Sequence, residues 1–281
     1  MPLTPFQEEV LRLLAKNRDA DSYLAGGSSL HSAPHSSRYS QNLDFFHDSE
    51  RRVAEAFAAD RSLLLAQDYR VEIEYALPGN VRAMVSRGNE RTRVDWAHDS
   101  AWRFMPCIRD ETGGYRLHEV DLAINKLLAL AGRDEVRDYV DVLESHERIL
   151  PLAAQIWAAA GKDPGLSPHA ILEMLKRRGR PRQVELDRLH LARPLDAVEA
   201  KGRWLRALEH AESFVSSRPE SELGCLYFHP ESGSFRAPDQ ERALEAQGLV
   251  PHFGRPGGVL PLVAEIDEEQ ETGRPDGSMG G

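Results

Sequence analysis

The sequence predicts an α+β protein, with an α/β head over residues 1–150 and a mainly helical second part over 151–264. Three observations carry this. Up to residue 96, segments of period-two alternation lie between helical segments, the mark of a sheet packed on helices. Beyond residue 119 the apolar residues recur at helical spacing and strand signals become sparse. The last stretch, 265–281, is acidic and then glycine-rich, a composition that predicts a disordered tail.

Each element has its own signal. Thr4 can cap a helix, Pro5 suits its first position and Gln7 completes a capping box, with Phe6, Val10, Leu13 and Leu14 on one face. A strand over Ser22–Ala25 leads into Gly26-Gly27-Ser28-Ser29, where a second helix starts, and Pro34 limits it to about two turns. A polar loop at 36–40 precedes a buried strand at 42–46, and Asp48 or Ser49 caps a helix running to about Leu65. Strands at 69–77 and 81–87 flank the turn Pro78-Gly79-Asn80. A further strand, 91–96, sets Val94 and Trp96 on one face and Arg93 and Asp95 on the other. Helices follow from Glu119 to about Gly132 and, capped by Asp134, on to about Leu150. Ser167-Pro168 opens another that Gly179 closes, and 196–216 supports a longer one. Near the end, 224–228 and 234–236 can pair around Pro230-Glu231-Ser232-Gly233.

Composition excludes several classes. No apolar run approaches the roughly 20 residues that span a bilayer, and the acidic, amphipathic N-terminus does not read as a secretory signal. Cys107 and Cys225 have no ligand-spaced neighbours, which predicts a reduced cytoplasmic protein without structural zinc. The 11 histidines show no HxxxH or HExxH spacing, and His31, His35 and His47 read as ordinary polar residues. A net charge of −10 argues against a surface basic throughout. Within it, residues 176–182 (KRRGRPR) read either as a solvated helix end or as a contact to a nucleic-acid backbone.

The chemistry gathers in three places. Glycine at a strand-to-helix turn lets an anion approach converging N–H groups, so Gly26, Gly27, Ser28 and Ser29 form a candidate phosphate cradle. Fifteen residues on, Asn42 and Asp44 share one side of a strand, two oxygen ligands that suit Mg²⁺, with Asp95 as a third oxygen from a later strand. Finally, Lys126 borders the apolar stripe of a helix, from which it can reach phosphates, with Arg133 and Arg137 as forked donors.

In combination, GGSS at 26–29, RYSQNLDFF at 38–46, NKLLAL at 125–130, Arg133 and RDYVD at 137–141 resemble the AbiEii/AbiGii-type nucleotidyltransferases, toxin components of bacterial toxin–antitoxin and abortive-infection systems. The resemblance spans about 22–143. It implies a polymerase-β-like nucleotidyltransferase domain that binds a nucleoside triphosphate with Mg²⁺ and transfers a nucleotide to RNA, notably tRNA, or to a protein hydroxyl. It also implies an antitoxin partner. Carried across, Gly27 and Ser28 would hold the triphosphate, and Arg38 falls within the matching segment. Asp44 and Asp95 would hold metal, Lys126 would be the motif lysine, and Asp138 or Asp141 the acidic residue after it. Asn42 departs from the pattern, which has aspartate there. Because two metal ions about 3.5–4 Å apart need carboxylates between them, the asparagine should weaken catalysis more than nucleotide binding. Two readings follow: an Mg²⁺-dependent transferase, or a degenerate fold that binds nucleotide, RNA or a partner without catalysis.

Overall fold

The computed structural model describes residues 3–31, 38–239 and 241–261, so the expectations at Pro34, His35 and 265–281 lie outside the described residues. The first half builds a sheet from segments that hide alternate side chains. Helix α1 (Pro5–Leu14) starts on the predicted capping box. Strand β1 (Ser22–Ala25) runs straight into the one-turn helix α2 (Gly26–Leu30), and β2 (Asn42–His47) returns antiparallel beside β1. Helix α3 (Glu50–Leu65) is capped by the Ser49 hydroxyl, which accepts from the Arg52 amide. Strands β3 (Arg70–Leu77), β4 (Asn80–Arg87) and β5 (Glu90–His98) form an antiparallel meander, whose last member pairs parallel to β2. After β6 (Trp102–Arg103), the hairpin of β7 (Ile108–Asp110) and β8 (Gly114–Arg116) completes a mixed sheet in the order β3-β4-β5-β2-β1-β8-β7.

Alternation decides which side of this sheet is dry. Leu43 and Phe45 of β2, Val81, Ala83 and Val85 of β4, and Val94 and Trp96 of β5 pack under α1 and α3. Asn42, Asp44, Arg82, Arg93 and Asp95 therefore face the other way, toward an open cleft. A buried ion pair braces the dry side: Arg18 reaches Asp60 at 2.6 Å, and the Trp96 indole donates to the same carboxylate at 2.7 Å.

The second half is helical, as expected. Helices α4 (Glu119–Arg133), α5 (Val136–Arg148), α6 (Leu152–Lys162), α7 (Pro168–Arg177), the short α8 (Gln183–Leu186) and α9 (Ala197–Ser217) come first. Strands β9 (Leu226–His229), β10 (Ser234–Phe235) and β11 (Val250–His252) make a small sheet that contains the predicted hairpin, and β12 (Arg255–Pro256) pairs with β6. One detail differs from the sequence reading. Asp134 does not open α5; it closes α4 in the left-handed conformation (φ 53°), and Glu135 precedes α5. Among the described residues one hydrophobic cluster lies under α1 and α3, a second is shared by α4 and α5 with α6, α7 and α9, and a small third of Tyr23, Ala25, Leu117 and Leu122 joins β1 to α4. No helix among the described residues is long and apolar enough to cross a membrane.

Candidate functional site

One register row organises the site. Ala25 of β1 lies beside Asp44 of β2, Asp44 beside Asp95 of β5, Asp95 beside Arg82 of β4, and Arg82 beside Tyr75 of β3. Directly paired residues point to the same face of a sheet, so the carboxylates and the guanidinium stand in line on the cleft side. Tyr75 joins the row only because the β3–β4 register shifts between Ile73 and Tyr75, a bulge at Glu74 that turns the ring toward Arg82.

Gly26 closes the row at its β1 end. It has φ +59°, and a Cβ there would lie 2.3 Å from the Asp44 Oδ2, so only glycine lets the carboxylate sit against the start of α2. The Gly27 amide donates to that carboxylate. Burial raises the Asp44 carboxyl above its ordinary value and Asp95 adds to the rise, with Lys126 opposing. Asn42 bridges the two carboxylates, donating through Nδ2 to Asp44 Oδ1 at 2.6 Å and to Asp95 Oδ2 at 2.9 Å. Both partners accept only, which fixes the nitrogen end of the amide toward them.

Cations come from the opposite wall. Lys126 on α4 lies 2.7 Å from Asp141 and 3.4 Å from Asp138. The buried Asp141 also accepts two hydrogen bonds from Arg38, both at 3.0 Å, and one from the His31 Nε2 at 2.7 Å. Burial alone would raise the Asp141 carboxyl, but Lys126, the His31 hydrogen bond and Arg38 outweigh it and hold the group well below the usual carboxylate range. Asp138, equally buried, takes a bidentate contact from Arg133 at 2.6 and 3.0 Å. Arg137 reaches the cleft with no hydrogen-bond or ion-pair partner among the described residues.

The cleft measures about 590 Å³. Arg38, Arg82, Arg93, Lys126, Arg133, Arg137 and Lys162 line it against Asp44, Asp95 and Asp99, so an acidic chain presents a predominantly cationic hollow. Tyr39, Leu189 and His190 form one end wall, where the Tyr39 amide donates to the His190 carbonyl at 2.9 Å.

The structure brings Gly26, Gly27, Arg38, Asn42, Asp44, Asp95, Lys126, Arg133 and Arg137 to this cleft. Ser28 and Ser29 do not line it. The buried Ser28 hydroxyl donates to the Ala25 carbonyl at 3.0 Å and accepts from the Asp44 amide at 3.2 Å, so it ties the turn to β2; Ser29 faces a separate hollow. Asp138 and Asp141 lie behind the cations they hold rather than in the cleft lining. In the basic segment Lys176 pairs with Glu173 and Glu212, Arg182 with Glu185, and Arg178 caps the Leu130 and Ala131 carbonyls. Sequence reading missed Arg82. The signal was available, because a two-residue turn at Gly88-Asn89 pairs Arg87 with Glu90 and, by counting back, Arg82 with Asp95.

The fold has a counterpart among solved structures. The chain is similar to MenT4, a nucleotidyltransferase toxin from Mycobacterium tuberculosis H37Rv, with a TM-score of 0.52 and 15% identity over 77% of this chain and 83% of that one. It is also similar to JHP933 from Helicobacter pylori, with a TM-score of 0.48 and 16% identity over 76% of this chain and 95% of that one. No family model matches the chain, and no curated protein matches it.

Proposed function

We propose that this chain is a nucleotidyltransferase of the AbiEii-like toxin type, which takes a nucleoside triphosphate with Mg²⁺ and transfers the nucleotide to a hydroxyl of RNA, tRNA foremost, or of a protein. The single observation that carries this reading is the Asp44–Asp95 pair beside the Gly26–Gly27 turn, facing the cations of α4 and α5 across one cleft. Mg²⁺ needs only one or two carboxylates when substrate phosphates complete its shell, so Asp44 and Asp95 fit one ion. Among the described residues no group of three His, Cys, Asp or Glu side chains stands together in metal-holding geometry. A bound ion would neutralise charge on the reacting phosphate. Lys126, Arg133 and Arg137 would hold the β- and γ-phosphates and stabilise pyrophosphate as the acceptor oxygen bonds to the α-phosphorus and the α–β bridge breaks. Arg38 and Lys126 are locked on Asp141, so their charges are positioned before substrate arrives. An antitoxin that covers the cleft mouth would silence the toxin.

The test is to incubate purified protein with each α-labelled nucleoside triphosphate, Mg²⁺ or Mn²⁺, and total RNA, tRNA or cell protein. Label should pass to one acceptor class, and Asp44→Ala should abolish it. Equal transfer by Asp44→Ala, or none under any metal, would overturn the reading.

A further inference from the structure

The carboxylates of the cleft are not bare, and their partners are specific. Asp95 uses both oxygens on protein donors: Oδ1 accepts from Arg82 Nε at 2.5 Å, and Oδ2 accepts from Asn42. Arg82 is held from a second side by Tyr75, whose ring centroid lies 5.1 Å from the guanidinium carbon. Its strand position is fixed by register on both flanks. Its two terminal nitrogens have no partner among the described residues, and the side chain, 34% exposed, lines the cleft. Two carboxylates against one guanidinium leave a single negative charge in the row. A pair of divalent ions about 3.5–4 Å apart would bring four positive charges to it, with the asparagine contributing none in return. One divalent ion brings two, which leaves the row with a single positive charge to face a triphosphate.

We propose that the site works with one divalent cation and that Arg82, fixed on Asp95 and Tyr75, is the permanent cation in place of a second ion. The inference rests on the nucleotidyltransferase reading and deepens it. Asn42 and Arg82 then belong together: the asparagine removes a carboxylate that a second ion would need, and the arginine supplies the charge that ion would have brought. Arg82 is a catalytic residue in this scheme, because its free nitrogens meet a substrate oxygen.

The experiment counts Mn²⁺ bound per chain by electron paramagnetic resonance, using the full chain with an α,β-methylene nucleoside triphosphate. Nucleotide binding without metal is read separately with a fluorescent analogue. Wild type should bind one Mn²⁺, Asn42→Asp still one, and Asn42→Asp combined with Arg82→Gln two. Arg82→Gln alone should weaken the analogue about tenfold or more, and Arg82→Lys should recover part of that loss. Two ions in wild type, or two in Asn42→Asp alone, would overturn the role of Arg82 while leaving the transferase reading intact. Absence of any nucleotide binding by wild type would instead overturn the transferase reading, and this inference with it. The Asn42→Asp count keeps Arg82 intact, so it decides the matter even where Arg82→Gln does not fold.

Discussion

Two pairs of aspartates serve this cleft, and their surroundings give them opposite tasks. Asp44 and Asp95 stand on the sheet with partial access to the cleft, and their strongest donors are a neutral amide and one arginine. Asp138 and Asp141 are fully buried between helices and are saturated by Lys126, Arg133, Arg38 and His31. Residue type does not separate the pairs, but enclosure and the charge of the partners do. A carboxylate that lines a cleft and holds an amide and one arginine keeps lone pairs for a ligand. One that already holds several cations acts by placing them.

Removing a member of the buried pair should therefore have the largest effect. Asp141→Ala leaves Lys126, Arg38 and His31 facing an apolar gap, and breaking a buried pair from one side costs about 3–5 kcal/mol. Urea denaturation should show that loss; a change below about 1 kcal/mol, within the range of an exposed pair, would break the contrast. Gly26→Ala comes next. Alanine in a left-handed conformation costs about 1–2 kcal/mol, and its Cβ would push Asp44 aside. Nucleotide binding by calorimetry should fall far more than stability does, and parallel losses would remove the special place of the turn.

Asp44 and Asp141 should also part on titration. Asp44 is raised, so it takes up a proton above the free-aspartate range, and metal binding should fail there as the solution is acidified. Asp141 is depressed, so its contribution to stability is complete above the unfolded value and disappears only as pH falls through its lower folded value. Carboxyl ¹³C shifts should show Asp44 titrating first on acidification, and the reverse order would contradict the comparison. The smallest effect on the fold should come from Arg137→Ala. That arginine is exposed and unpaired among the described residues, so stability should change by less than about 0.5 kcal/mol. Triphosphate affinity should nevertheless fall about tenfold. An unchanged affinity would remove Arg137 from the cation wall.

Much of this was legible in the chain because local rules decide it. The Thr4 box, the Gly26 turn and the face shared by Asn42 and Asp44 need only neighbours in sequence. Asp95 was within reach because Val94 and Trp96 mark the dry face and leave its side wet. What escaped depends on pairing between segments. The bulge that brings Tyr75 to Arg82 has no signature in alternation, and the wall of Leu189 and His190 forms because a distant loop meets Tyr39. Asp138 and Asp141 read as ligand contacts because sequence shows charge but not enclosure. Asp134 read as a cap for the next helix because its residue type suits a left-handed stop as well as a start.

The two walls of the cleft rest on different hydrophobic clusters, joined by a small third one of Tyr23, Ala25, Leu117 and Leu122. The cleft carboxylates ride on a sheet packed under α1 and α3, while Lys126, Arg133 and Arg137 belong to helices anchored on α6, α7 and α9. A nucleotide gripped by both would clasp the two layers together and stabilise the folded chain by its own binding energy, about 2.7 kcal/mol at a hundredfold excess over Kd.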